Sequence, residues 1–251
     1  MAASVKSAIQ ETKEELENRI FELAAPLLTK LYNTYAKIPE QKDSPDAAVM
    51  LLDPPRRFGK KGEPVKIGIE VTSVDPYSYL AYANDKKFGA ALVSEQIVRT
   101  FEEGLVSDRP TKKIDVSIPR DFIFKGVIGK AAKYEQYKPR SKFDEVILLC
   151  FSDVLGARNE LFKDGLSTWT NYLLSQANFP FERVIFVSPR DHCPTPVQIY
   201  DKKMKKAKPP TPYKYPDATI TCIQSQPLHT DTAYNLTEKF SGAPLISPRS
   251  K

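Results

Sequence analysis

Two short apolar runs joined by a basic turn, between residues 45 and 75, constrain this chain more than any other stretch of its sequence. The first run begins at Asp46, and the second reads Val-Lys-Ile-Gly-Ile-Glu-Val-Thr from Val65 to Thr72. Runs rich in Val, Ile and Leu that flank a glycine-containing turn predict a β-hairpin. Each strand of this hairpin carries a carboxylate, because Asp46 opens the first strand and Glu70 interrupts the second.

A charged glutamate inside a sheet requires a compensating partner. Moving the carboxylate of Glu70 out of water costs several kcal/mol unless a cation or hydrogen bonds compensate. A metal ion is one such partner, and a salt bridge to Lys66 or Arg120 is another. For Asp46, the alternative to a metal ligand is a cap of a helix or turn, a frequent role of aspartate. The residues alone leave both pairs of alternatives open.

Composition narrows the class of protein. The chain has 251 residues, of which 41% are hydrophobic and 27% charged, as in ordinary globular proteins. It contains no apolar run of the roughly 20 residues that cross a bilayer, and its first residues lack the apolar core of a secretory signal. We therefore expect a cytoplasmic protein with no membrane partner. The net charge of +6 suits a polyanionic partner without requiring one.

The order of predicted elements indicates an α/β fold with a mixed central β-sheet flanked by helices. A first helix is predicted from about Ser4 to Tyr35, with a break near Ala25 because Pro26 cannot continue the backbone hydrogen bonds. The elements predicted after the hairpin are a helix at 88–101, a strand at 114–118, a helix at 122–137, a buried strand at 143–151, a helix at 165–177 and a strand at 183–187. We assign residues 1–200 to this domain, and 201–251 to a basic, proline-rich loop, an edge strand and a flexible C-terminal tail.

Three short motifs occur in an order that resembles the PD-(D/E)-x-K, or restriction-endonuclease-like, nuclease superfamily. They are Pro45-Asp46, Ile69-Glu70-Val71-Thr72, and the helical segment Val127 to Tyr134, which precedes the apolar run Val146 to Leu149. The resemblance covers about residues 10–190. It implies a restriction-endonuclease-like core and a Mg²⁺-dependent nuclease, with Mn²⁺ as an alternative cation.

The resemblance also implies roles for individual residues. Asp46 and Glu70 correspond to the metal ligands of the family, and Asp53 competes for the place of the first acid. A helix carboxylate often completes such sites, and we choose Glu17 over Glu22. Carboxylates suit this task because Mg²⁺ prefers hard oxygen ligands.

The sequence departs from the family pattern at Thr72, where the family has a lysine two residues after the glutamate. A threonine hydroxyl can hydrogen-bond water but brings no positive charge. We include Thr72 in the candidate catalytic set, and we expect Lys130 to supply the charge from the following helix, with Lys133 as second choice. The alternative for Lys130 is a surface lysine whose stem covers its helix.

Two functions from different classes follow. The first is a metal-dependent endonuclease that hydrolyses DNA phosphodiester bonds, in which Arg56, Arg57, Lys60 and Lys61 of the hairpin turn contact phosphates. The second keeps the fold without catalysis, as a nucleic-acid-binding or protein-interaction module that uses the basic loop at Lys202 to Lys208. For the first we expect a nucleic acid as partner and favour DNA, although the sequence leaves the choice between DNA and RNA open, and we allow for a homodimer.

Overall fold

The computed structural model describes residues 12–41, 44–58, 64–84, 111–141, 143–189, 191, 195–204 and 206–225. The chain divides into two compact units, one formed by Met1–Asp75 with Ser117–Ala218 and the other by Pro76–Val116 with Thr219–Lys251. The mixed α/β class predicted from the sequence is confirmed. The helix predicted at 88–101 and the C-terminal tail lie outside the described residues.

The larger unit is built on a six-stranded mixed sheet. Its middle strands are parallel and its outer strands antiparallel, as the pairing registers record. In spatial order the strands are β1 (Tyr35–Lys37), β2 (Ala47–Leu51), β3 (Val65–Ser73), β5 (Glu145–Phe151), β6 (Arg183–Val187) and β7 (Val197–Asp201).

Helices flank this sheet. They are α1 (Lys13–Tyr32), α3 (Phe122–Ile128), α4 (Ala131–Ser141), a π-helical segment (Phe162–Leu166) and α5 (Ser167–Gln176). Side chains on alternate positions of β3, including Ile67, Ile69 and Val71, join the apolar face of α1 in one buried core. Because successive residues of a strand point to opposite faces, Glu70 lies on the face of β3 that looks away from this core.

Helix α1 continues past Pro26, so the break expected near Ala25 is wrong. The helix begins with a capping box in which Thr12 and Glu15 bond each other's backbone N–H groups. Pro26 is exposed, whereas Ala24 and Leu28 are buried against the sheet. Burial of this apolar stripe holds the helix together despite the lost hydrogen bond at proline.

Two further predictions need correction. The single helix expected at 122–137 is divided into α3 and α4 by a turn at Gly129 and Lys130. Strands β1 and β7 were not predicted, since β1 is only three residues long and β7 lies in a proline-rich stretch. The three residues of β1 are too few to show a period of two, and the prolines around β7 argue against a strand there.

The smaller unit contains α2 (Tyr77–Asn84) and a two-stranded sheet of β4 (Thr111–Ser117) and β8 (Thr219–Ser225). The Thr221 hydroxyl bonds the Asp115 carboxylate at 2.5 Å between these strands. Among the described helices, none is both long enough and apolar enough to cross a membrane.

Candidate active site

The hairpin brings Asp46 beside the strand that carries Glu70. Ala47 of β2 pairs with Ile69 of β3, so the next residue outward, Asp46, stands opposite Glu70. One carboxylate oxygen of Asp46, Oδ2, accepts a 2.8 Å hydrogen bond from the backbone N–H of Val71. This bond ties Asp46 to the strand, while its Oδ1 atom remains directed at a lysine described below.

Glu70 is buried, and its partner is Lys130. The Nζ atom of Lys130 lies 2.5 Å from Oε1 of Glu70 and 3.5 Å from the carbonyl oxygen of Val71. The side chain of Lys130 is 20% exposed, and that of Glu70 is 5% exposed. Lys130 occupies the turn between α3 and α4, so the helix break that the sequence did not predict is what aims this ammonium at β3.

The two salt-bridge partners considered for Glu70 lie elsewhere. Lys66 is exposed, and its backbone N–H bonds the Asp144 carboxylate at 2.9 Å. The guanidinium of Arg120 lies over the Trp169 ring, 4.6 Å from its centroid. Lys133, the second choice for the migrated lysine, is exposed on α4.

Tyr137 of α4 lies within electrostatic range of both hairpin carboxylates. This buried tyrosine has a raised pKa, chiefly because burial disfavours the phenolate. The charge of Glu70, a hydrogen bond to it and the charge of Asp46 raise the pKa further. The phenol of Tyr137 therefore interacts electrostatically with carboxylates from two neighbouring strands.

Glu17 of α1 is the third carboxylate of the site. Its pKa is raised by burial first and then by the charge of Asp46, with Glu70 contributing less. The Nζ atom of Lys13 lies 3.2 Å from Oε1 of Glu17 and 4.0 Å from Oδ1 of Asp46. The hydrogen bond to Glu17 is the main cause of the raised pKa of Lys13. In contrast, Glu22 is exposed and influences Tyr35 instead.

A cleft of about 230 Å³ opens beside these groups. Its acidic lining includes Glu14, Glu17 and Asp46, whereas Lys37 at the end of β1 supplies a cation. Gln41 also lines the cleft and donates a 2.8 Å hydrogen bond to the carbonyl of Pro45, the residue before Asp46. The cleft thus joins the N-terminal part of α1 to the end of the hairpin.

Thr72 makes a local hydrogen bond, and Asp53 lies away from Glu70. Thr72 follows Glu70 by two residues on the same face of β3, and its hydroxyl bonds the carbonyl of Ser73 at 3.4 Å. Asp53 is exposed beyond the far end of β2, where its backbone contacts Asn33 and Thr34. Of the two competing first acids, Asp46 is therefore the one beside Glu70.

The arginines of the hairpin turn lie at the other end of the hairpin from Asp46. Arg56 is exposed in a short 3₁₀ helix. The guanidinium of Arg57 stacks over the rings of Tyr32 and Phe58, and its Nε atom lies 3.9 Å from the Glu145 carboxylate. Lys60 and Lys61 lie outside the described residues. Phosphate contacts by these four residues stay a prediction.

Sequence reasoning missed a buried ionic cluster around Glu145 at the start of β5. This carboxylate pairs with Arg183 and Lys203, the latter at 2.8 Å, and accepts a 3.0 Å bond from the Tyr32 hydroxyl. Burial alone would raise the pKa of Glu145, but the Lys203 bond and the Arg183 charge outweigh it and lower the pKa. The acid before an apolar strand was visible in the sequence, but its distant partners were not.

The described residues contain no ready-made metal cluster, and no known relative identifies the site. Across the described ranges, no three His, Cys, Asp or Glu side chains form a group that could hold a metal ion by themselves. No protein-family model matched the chain, and no match was found among curated proteins or solved structures. The functional argument consequently rests on the geometry of the hairpin, α1 and the turn at Lys130.

Proposed function

We propose that this chain is a Mg²⁺-dependent endonuclease with a restriction-endonuclease-like core, acting on DNA. The observation that supports the proposal is that Asp46 stands opposite Glu70 across the hairpin, while the Lys130 ammonium pairs with Glu70. Three sequence-distant elements supply these groups, and the lysine reaches the glutamate although position 72 lacks one. A purely structural sheet needs no such set of charges on adjacent strands.

The donor set fits a hard cation. Mg²⁺ is usually held by one or two carboxylates, with waters and substrate phosphate oxygens completing an octahedron. Asp46 and Glu70 would provide the two carboxylates, and Glu17 of α1, whose pKa is raised by burial and by the charge of Asp46, is the further candidate ligand. A third protein ligand is not required for such a site. When bound, the cation supplies charge neutralisation at the phosphate and lowers the pKa of an attacking water.

The protein groups would perform three tasks. Asp46 is fixed by the Val71 N–H, so its remaining lone pairs are presented in one direction. Lys130 would orient the water and stabilise negative charge that develops on the phosphate, the task that the lysine two residues after the glutamate has in the family. Tyr137 of α4 hydrogen-bonds Glu70.

A second candidate function is nucleic-acid binding without catalysis. Thr72 favours it, and so does the Lys130–Glu70 ion pair, because this pair already compensates the buried carboxylate without a metal. Such a module would bind DNA with a steep salt dependence and no dependence on divalent cations, since lysine and arginine contacts to phosphates release counterions.

Plasmid cleavage separates these functions. The wild-type protein, Glu70→Gln and Asp121→Asn are each incubated with supercoiled plasmid and Mg²⁺ or Mn²⁺. Asp121 is a matched control because its carboxylate forms a local ion pair with Lys125 on α3. We expect a loss of about 100-fold or more in Glu70→Gln, no loss in Asp121→Asn, and no cutting with a chelator. Equal cutting by both variants would remove the assignment.

A further inference from the structure

The cleft beside Asp46 contains two lysines in different electrostatic situations. Lys13 faces the carboxylates of Glu17 and Asp46, so its charge is largely balanced. The ammonium of Lys37 instead donates a hydrogen bond to Oδ1 of Asn18 and lies 5.1 Å from the centroid of the Phe21 ring. Within the described part of the chain, no carboxylate forms an ion pair with Lys37.

Neutral partners hold Lys37 without cancelling its charge. An amide oxygen and an aromatic face both attract an ammonium, and together they fix its position at the rim of the cleft. The charge therefore remains available to an anion that enters. Lys37 pairs with Val49 in the sheet, three residues along β2 from Asp46 and hence about 10 Å away along the strand.

An acidic cleft repels a polyanion unless cations accompany the acids. Glu14, Glu17 and Asp46 all line this cleft and would oppose the approach of a phosphate. A fixed ammonium beside them lowers this barrier, since lysine binds phosphate as a point charge. A nucleic-acid strand that lies in this cleft passes both Asp46 and Lys37, because both side chains line it.

We propose that Lys37 binds a backbone phosphate of the nucleic-acid substrate next to the scissile phosphate. The inference rests on the proposed function, because it takes the position of the scissile phosphate from Asp46 and Glu70. It assigns a substrate-binding role to β1, a strand that carries none of the residues selected from the sequence.

The test measures binding of a 5′-fluorescein-labelled DNA oligonucleotide by anisotropy at several salt concentrations. All proteins carry Glu70→Gln to prevent cleavage, and Lys37→Gln, Lys37→Arg or Lys30→Gln is added to this background. Lys30 is the matched control, since it is exposed in the last turn of α1, far along the helix from the cleft. Thermal melting of each variant verifies that it is folded.

Removing one phosphate contact should reduce the slope of log K against log salt by about 0.7 to 0.9 in magnitude. We expect that change in Lys37→Gln, with affinity lowered about three- to tenfold, and wild-type slopes in Lys37→Arg and Lys30→Gln. In cleavage assays with proteins that keep the native Glu70, Lys37→Gln should raise KM by a similar factor and leave kcat unchanged.

The outcomes separate this inference from the proposed function. If the folded Lys37→Gln protein keeps the parental slope and affinity, the inference is overturned whether or not wild type cuts DNA. If Lys37→Gln changes the salt slope but the wild-type protein cuts no DNA, the phosphate contact is supported and the catalytic function is rejected. If the Glu70→Gln parent binds no DNA even at low salt, Lys37 has no such contact and the inference fails with it.

Discussion

At the residue scale, the contact between Lys130 and Glu70 has the largest consequences. Glu70 is 4% exposed, so its charge depends on the partner that the turn between α3 and α4 provides. Removing one member of a buried pair leaves an uncompensated charge, which costs more than the intact pair contributes. The same ammonium therefore matters to folding and, under the proposed function, to chemistry.

Replacing Lys130 with Met should lower both stability and cleavage. We expect unfolding to become easier by about 1–3 kcal/mol, less than for a fully buried pair because Lys130 is partly exposed. Cleavage at saturating Mg²⁺ should fall about 100-fold or more. The control is Lys133→Met, an exposed lysine on α4. Urea denaturation and single-turnover cleavage measure the two effects, and wild-type cleavage by a folded Lys130→Met protein would contradict the catalytic role.

Lys13 should compete with a divalent cation for the site. Its ammonium lies 3.2 Å from Glu17 and 4.0 Å from Asp46, so a cation at Asp46 experiences its repulsion. Solvent screening at this exposed position reduces the interaction to the order of 1 kcal/mol. Lys13→Gln should therefore bind Mn²⁺ about two- to fivefold more tightly in calorimetric titration, with Lys30→Gln unchanged. Weaker binding by Lys13→Gln would show that the lysine supports the site instead.

At the scale of elements, the position of α3 is set by a close approach to the chain after β3. A methyl group added at Gly126 would lie 2.5 Å from the backbone Cα atom of Val74. Backbone cannot yield as a flexible side chain can, so only glycine permits this approach. Helix α3 leads directly into the turn that carries Lys130.

Two alanine substitutions test this packing with nearly identical chemistry. Gly126→Ala should destabilise the protein by about 1–3 kcal/mol, because the helix must move away from β3. Gly129→Ala meets no atom within 4 Å and has ordinary helical dihedral angles, so it should be neutral or stabilising by up to about 1 kcal/mol. Urea denaturation measures both, and equal stabilities would contradict the packing argument.

The sequence was sufficient for elements whose pattern is local. The apolar period of α1 and the two runs of the hairpin predicted the elements that carry Glu17, Asp46 and Glu70. Prediction from the sequence failed where burial in the core outweighs local helix propensity. At Pro26, for example, core contacts keep the helix intact. Prediction also failed at β7, whose pairing with β6 is a long-range contact in a proline-rich stretch.

The candidate site was predictable in part for the same reason. Asp46, Glu70 and Lys130 stand in motifs with recognisable spacing, whereas Lys13 and Lys37 are single charges among many. Nothing local distinguishes a lysine with carboxylate partners from one held by Asn18 and Phe21. That difference arises only when α1 packs against the edge of the sheet.

At the scale of the whole molecule, a buried acid links stability to pH. Asp75 follows β3, and its carboxylate accepts bonds from the Ser152 hydroxyl and, at 2.7 Å, from the Asp153 N–H. Although these bonds favour the charged form, burial outweighs them and raises the pKa of Asp75 to about 6. The carboxyl joins the chain segments that follow β3 and β5.

The sign of the effect follows from the raised pKa. Asp75 stabilises the folded state fully below its ordinary pKa of 3.8, and this contribution is lost as pH rises through about 6. A shift of this size corresponds to about 3 kcal/mol. The free energy of unfolding of wild type relative to Asp75→Asn should fall by up to that amount between pH 4 and pH 6.5. Asp121→Asn should keep the wild-type slope, and parallel profiles for Asp75→Asn would refute the linkage.

The central claim is that carboxylates of two neighbouring strands share one divalent cation. Titration with Mn²⁺, followed by electron paramagnetic resonance, tests it without any need for substrate. We predict one Mn²⁺ per wild-type chain, binding at least about tenfold weaker in Asp46→Asn and in Glu70→Gln, and unchanged binding in Asp121→Asn. Equal Mn²⁺ binding by all four proteins, or none by the wild type, would contradict the account.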